Sequence, residues 1–325
     1  MGWLGWSALA SALLAAAAFG LWRWAAATGS AGMLNWIDAQ FPRSVEARLA
    51  TRVQYGGHPA QHLELWLPDR SDPEEGQGSP FPLIVFYHGG GWHSGRPADY
   101  RFVARTFAQH GFATALVGYR LVPEGRFPAM LEDSAAAVAS VIEVGDRYPL
   151  ATDRIVLAGH SAGAYNAIML ALDPQWLAKA GVPAEAVAGV AGLAGPYDFY
   201  PFTSESARNA LGHVEPPAAT QPVAFACGDA PPLLLLTGGA DDVVRPRNSL
   251  ALDRAMRAAG GRSTVEVFGG MGHAGIIMAL SRPFAQGGRV TRRVAAFARE
   301  RLAPITSAPN TSAPDTSADV QGQPR

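Results

Sequence analysis

The hydrophobic positions of the chain fall into a regular succession of short apolar runs and amphipathic stretches. Residues 45–55 and 61–67 read as two strands. In the second, Leu63, Leu65 and Leu67 alternate with His62, Glu64 and Trp66, the period of a strand buried on one face. Gly56-Gly57 suits a hairpin turn between them. Residues 69–80 are polar, with Pro and Gly, and read as a surface loop. Residues 83–87, Leu-Ile-Val-Phe-Tyr, form a continuous apolar run, as in a strand covered on both faces. A helix over 98–109, a strand over 113–117 and a helix over 128–144 follow. The pattern then gives a strand at 155–158, a helix at 165–172, strands at 187–193 and 233–237, a helix at 247–259, a strand at 264–268 and a last helix at 289–302. This alternation predicts an α/β fold with a mostly parallel central sheet flanked by helices. Residues 195–229 show no strong helical pattern, and no internal repeat is visible.

The two ends differ from the middle. Residues 2–22 carry no charged side chain, and Arg23 ends the run. At about 1.5 Å per residue this gives roughly 32 Å of helix, enough to cross a hydrocarbon core. Trp3 and Trp6 at one end and Trp22 and Trp24 at the other match two interfacial aromatic belts. The competing reading is a cleaved signal peptide, with Ala25-Ala26-Ala27 as its cleavage box. The length of the run, and the lack of Lys or Arg before it, favour an uncleaved anchor. Residues 303–325, rich in Pro, Ser, Thr and Ala, lack apolar periodicity and are expected to be disordered. The expected organisation is an N-terminal transmembrane helix or signal segment over 1–24, a linker over 25–44, a catalytic domain over 45–302 and a tail over 303–325.

Composition narrows the class. A hydrophobic content of 48% in 325 residues is ample for one large core. A formal net charge of -1 and the lack of a basic run give no footprint for nucleic acid. Lys179 is the only lysine, which reads as genome composition rather than chemistry. The single cysteine, Cys227, excludes an internal disulfide and a cysteine-based zinc site.

The chemistry centres on Gly159-His160-Ser161-Ala162-Gly163, which lies between an apolar strand and a helix. Gly-x-Ser-x-Gly in that setting is a nucleophile elbow, a tight turn whose flanking glycines avoid collision with nearby backbone. A serine hydroxyl needs a base, and the base an orienting acid. Downstream, Asp241 follows the strand over 233–237 in Gly238-Gly239-Ala240-Asp241-Asp242, and His273 follows the next strand in Gly269-Gly270-Met271-Gly272-His273. All three residues therefore sit past the C-terminal ends of strands, the edge where open α/β sheets bind ligands. Taken singly, such an Asp is often only a helix cap and such a His a loop residue. Their order, Ser then Asp then His, is what makes a triad the better reading. A fourth element, His88-Gly89-Gly90-Gly91-Trp92, directly follows the strand over 83–87. Three consecutive glycines suit an oxyanion hole built from unobstructed backbone N–H groups.

From residue 53 to residue 301 the chain resembles an α/β-hydrolase of the esterase/lipase group that includes hormone-sensitive-lipase-like and BD-FAE-like carboxylesterases. The resemblance rests on 88–92, on Tyr119-Arg120-Leu121-Val122-Pro123-Glu124 with Phe127-Pro128, on Asp153-Arg154-Ile155, on 159–163 and on the Asp241 and His273 loops. It implies the α/β-hydrolase fold, with Ser161 as nucleophile, His273 as base and Asp241 as the orienting acid. Gly90, Gly91 and Ala162 would supply the oxyanion-hole N–H groups. Two departures from the family stand out: 195–229 is short for a lid, and only the anchor and a brief linker precede the first strands.

The implied activity is hydrolysis of carboxylic esters through an acyl-enzyme. An aryl formamidase-like amide hydrolase and a membrane-tethered, non-catalytic binding module are the alternatives. No metal or organic cofactor is expected. The expected partners are a small ester substrate and, through 1–24, a lipid bilayer. Localisation is read as a single-pass membrane protein, with export after signal cleavage as the alternative. Arg23 weakly favours a cytoplasmic catalytic domain. His58, His62, His110 and His213 are scattered and read as structural or surface residues, as do Asp133 and Asp153. His88 is expected to brace the glycine loop. Trp92, Tyr197, Phe199, Tyr200 and Phe202 are candidates for a substrate pocket, with core packing the equal alternative.

Overall fold

The computed structural model of the chain describes residues 30–69 and 79–303, together with Trp6 and Gly20. The expected anchor over 1–24 and tail over 303–325 otherwise lie outside the described residues. Among the described residues no helix is long and apolar enough to cross a membrane.

Eight strands form one sheet: β1 (Ala47–Gln54), β2 (His62–Pro68), β3 (Phe81–Tyr87), β4 (Ala113–Val117), β5 (Leu150–His160), β6 (Val187–Leu193), β7 (Leu233–Gly238) and β8 (Ser263–Phe268). Their spatial order is β1-β2-β4-β3-β5-β6-β7-β8. β1, β2 and β4 pair antiparallel, and every pair from β4 through β3 to β8 is parallel. The helices are α1 (Ala31–Asp38), α2 (Arg101–Ala108), α3 (Ala129–Gly145), α4 (Ala162–Leu172), α5 (Gln175–Lys179), α6 (Glu205–Leu211), α7 (Arg247–Ala258), α8 (His273–Met278) and α9 (Arg289–Leu302). This is the mostly parallel α/β-hydrolase fold that the motifs imply.

The apolar strands feed two cores by simple alternation. Leu83, Val85 and Tyr87 of β3 join Leu157 of β5 on the face covered by α3, α4 and α7. Ile84 and Phe86 join Val156 and Ala158 on the face covered by α2, α8 and α9. A strand sandwiched in this way shows no polar alternation, which is why β3 reads as a continuous run. On β2 the alternation expected from sequence is only half observed. Leu63, Leu65 and Leu67 are fully buried, but Glu64 is buried as well. Arg101 of α2 covers its carboxylate with two bonds of 2.6 and 2.8 Å, and Arg52 adds a third at 3.1 Å. Burial opposes ionisation of Glu64, yet these guanidinium bonds hold its pKa below the usual carboxylate value.

The expected linker over 25–44 contains a packed helix. α1 is a packed helix that starts at Ser30, whose hydroxyl accepts from Met33 N at 3.3 Å. Leu34 is buried in the second core, and Asp38 is fully buried. Asp38 accepts from Arg43 at 2.6 Å, Arg105 at 2.8 Å and the Arg282 backbone N–H at 2.9 Å. Arg105 also reaches the Asn35 side chain at 2.7 Å, and Asn35 donates to the Ala98 carbonyl at 3.1 Å. Its eight residues make only about two turns, and its anchoring partners are distant in the chain. Removing one partner of such a buried ion network strands the other charge away from water. Asp38→Ala should therefore lower stability by about 3–5 kcal/mol, measured by urea denaturation, and replacing Arg105 by Met in the same chain should recover part of the loss.

Candidate active site

β5 runs into Ser161, whose backbone stands at φ 54 and ψ -120, and α4 starts at the next residue. A non-glycine residue in that region carries about 1–3 kcal/mol of strain. Three close approaches hold it there. A Cβ on Gly159 would meet the Gly163 carbonyl, and a Cβ on Gly163 would meet the carbonyls of Tyr87 and His88. Ser161 N donates to the Leu193 carbonyl of β6 at 2.8 Å. The two glycines are thus required by packing of backbone on backbone, as the elbow reading predicts.

Ser161, His273 and Asp241 come together from β5, α8 and the loop after β7. His273 Nε2 lies 2.9 Å from Ser161 Oγ, and its Nδ1 lies 2.8 Å from Asp241 Oδ2. The other Asp241 oxygen accepts the backbone N–H of Val243 at 3.0 Å and of Val244 at 2.8 Å. Asp241 is buried, whereas Asp242 points to solvent. These bonds orient one carboxylate and leave the neighbouring one outside.

The glycine loop faces the same point. Gly90 stands at φ 120 and Gly91 at φ 59, both in the region that favours glycine. With Ala162 they line the cavity beside Ser161. Among the described residues their N–H groups have no hydrogen-bond acceptor. The loop is braced from behind. Tyr119 Oη donates to the His88 carbonyl at 2.8 Å, Gly89 N donates to Tyr100 Oη at 3.1 Å, and the His88 and Tyr119 rings stack at 4.3 Å. Trp92 Nε1 donates to Asn166 Oδ1 of α4 at 3.2 Å.

His88 donates from Nδ1 to the Gly89 carbonyl at 2.8 Å. Burial lowers its pKa to about 4, so it is neutral and supports the loop, as expected. His160 carries no signal in the sequence beyond its place next to Ser161. It is buried, its ring centroid is 5.0 Å from that of His273, and among the described residues neither ring nitrogen has a hydrogen-bond partner. Burial, and then the neighbouring His273, hold its pKa well below the ordinary histidine value. Of the aromatic candidates, Trp92 and Phe199 line the cavity. Tyr197 is core and Tyr200 is exposed. Asp133 is structural, bound to Arg120 and Gln61. Among the described residues no group of three or more His, Cys, Asp or Glu converges as a metal site.

Residues 69–256, more than half of the chain, match the BD-FAE family. The chain belongs to that family. Kynurenine formamidase of Danio rerio is 30% identical over 163 residues, which cover 50% of this chain and 51% of that protein. Esterase LipC of Mycobacterium tuberculosis is 29% identical over 225 residues, 64% of this chain and 55% of the relative. The chain thus spans about half the length of these curated relatives. Among solved structures, esterase B from Lactobacillus rhamnosis superposes with a TM-score of 0.68 at 20% identity, covering 90% of this chain and 96% of that one. An esterase from Pyrobaculum calidifontis gives 0.67 at 20% identity, with 86% and 93% covered. These structural likenesses establish the α/β-hydrolase fold.

The buried neutral His88 makes stability depend on pH with a definite sign. An unfolded histidine takes up a proton near pH 6.5, whereas the folded one does so only near pH 4. The unfolded state therefore binds more protons between those values, and stability falls as pH drops through that window. The His88 share should be about 2 kcal/mol between pH 7 and pH 5. Urea denaturation at the two pH values, compared with His88→Gln, should show a shallower loss in the variant.

Proposed function

We propose that the protein hydrolyses carboxylic esters through an acyl-enzyme on Ser161. The observation that carries this reading is the hydrogen-bonded line from Asp241 through His273 to a strained Ser161. In the proposed reaction His273 Nε2 takes the Ser161 proton as Oγ attacks the ester carbonyl. The tetrahedral oxyanion receives hydrogen bonds from the N–H groups of Gly90, Gly91 and Ala162. Collapse breaks the bond to the alcohol, which leaves with the proton from His273, and water then repeats the sequence on the acyl-enzyme. Asp241 holds Nδ1–H and stabilises the imidazolium. Membership of the BD-FAE family and the esterases among the relatives support the ester as substrate class.

Ser161→Ala should abolish ester turnover and covalent labelling by a fluorophosphonate without unfolding the protein. Substantial turnover by the purified variant would overturn the mechanism, and a wild-type chain that neither labels nor turns over would point instead to a binding module. Asp241→Asn should lower kcat by several orders of magnitude through a wrongly held imidazole. Asp242→Asn should have a small effect, because that side chain faces solvent. The reverse ranking would reassign the acid.

The relative named kynurenine formamidase gives a second reading some weight, since the same groups suit attack on an aryl formamide. Paired phenyl acetate and formanilide substrates, compared by kcat/KM, separate the two. The reading also includes residues 2–22 as an uncleaved membrane anchor, supported by the length of that uncharged run and its flanking tryptophans. Membrane fractionation and mass measurement of the N-terminus test it, and a soluble product beginning near Thr28 would make the segment a signal peptide.

A further inference from the structure

The cavity beside Ser161 has a volume of about 1230 Å³. Ordinary ligand pockets occupy roughly 300–1,000 Å³, so a short ester leaves much of this space unfilled. Its walls come from both cores. Trp92, Phe199 and Ala207 belong to one side of the sheet. Leu34, Ile277, Met278 and Phe284 belong to the other, and α1 extends that second wall with Met33 and Ile37. The charged side chains at the rim of the second wall, Arg96 and Asp99, pair with each other at 3.2 Å. Ser30, the cap of α1, also lines the cavity, but Met33, Leu34, Ile37, Ile277 and Met278 make the α1 and α8 side of that wall mainly apolar.

The direction of the reaction assigns the two walls, given the reading of Ser161 as nucleophile and His273 as base on which this inference rests. The leaving oxygen must come within reach of His273 Nε2, which protonates it. The carbonyl oxygen must point to Gly90, Gly91 and Ala162. His273 opens α8, and Ile277 follows it by one turn on the same helix face. Both line the cavity, so the alcohol half of the ester leaves Ser161 along α8 and meets α1. The acyl half is left to the side of Trp92 and Phe199. We propose that α1 and α8 form an alcohol subsite selective for esters of long apolar alcohols, with α1 setting the selectivity. α1 is suited to this because it is held as a fixed wall: Asp38 bonds at once to Arg43, to Arg105 of α2 and to the backbone of Arg282, four residues after α8 ends.

The experiment uses two matched substrate series with the full chain. Alkyl acetates from ethyl to dodecyl lengthen the alcohol, and p-nitrophenyl esters from acetate to octanoate lengthen the acyl group. A buried methylene is worth about a threefold to fourfold change in binding. Wild type should raise kcat/KM at least tenfold from ethyl to octyl acetate, chiefly through KM. Ile37→Trp, which fills the wall, should bring that ratio below threefold while the ratio across the acyl series keeps its wild-type value. Ile37→Ala should move the optimum to a longer alcohol. Ratios within one preparation do not depend on how much of a variant is folded. A flat or falling alkyl acetate series in wild type overturns the proposal alone, as does Ile37→Trp altering the acyl series instead. No turnover in either series overturns the hydrolase reading along with it.

Discussion

The structure depends on one close approach of backbone to backbone. Gly163 packs so tightly against the Tyr87 and His88 carbonyls that no side chain fits there, and Gly159 packs in the same way against Gly163. This contact locks the first turn of α4 against the end of β3. Two consequences follow from it together. Ser161 is lifted out of the sheet into a backbone conformation it would not adopt freely, and the glycine loop after β3 is brought beside it. A single steric constraint therefore positions both the hydroxyl and the N–H groups that face it. The strain at Ser161 is small beside the many contacts that enforce it, which is how such a conformation persists.

Around this contact the polar groups are sorted by burial. Asp241 is enclosed and three hydrogen bonds fix its carboxylate, while Asp242 stays in water. His88 and His160 are enclosed without a carboxylate partner, so desolvation keeps them neutral. His273, between Asp241 and Ser161, is the histidine that bonds on both sides. Three histidines in one region thus have different roles because their surroundings differ, not their side chains.

The space for substrate arises where the two cores end. Each face of the sheet has its own helices, and at the C-terminal edge neither layer closes over the other. α1 completes one wall, tied down through the buried Asp38 rather than through apolar packing alone. An ion network of this kind adds little net stability over a well-packed apolar core, but it is strongly directional. It holds a short helix in one orientation, as a wall of a cavity requires.

Much of this was legible in the sequence, for physical reasons that can be named. The parallel strands announce themselves because burial on both faces demands unbroken apolar runs, as in β3 and β7. Gly159 and Gly163, Gly90 and Gly91, and the order Ser161, Asp241, His273 were readable because chemistry at a tight turn tolerates few residue types. The remaining features needed the tertiary structure. Glu64 sits in an alternating strand as if exposed, and the guanidinium groups of Arg101, arriving from α2, and of Arg52 make its burial tolerable. α5, α6 and α8 are too short to display a helical period, and α1 is fixed by partners far along the chain. His160 shares its motif position with any residue, and its neutrality comes from a burial that the sequence does not record. The choice of Asp241 over Asp242 rests in sequence on loop spacing, but enclosure of one carboxylate and exposure of the other is a fact of packing. The sequence by itself determined the run of strands, the elbow and the candidate triad residues, because these follow from local pattern. Which residues wall the cavity was decided only by the fold, because those walls join segments more than 200 residues apart, such as Ile37 and Ile277, and no local pattern encodes that meeting.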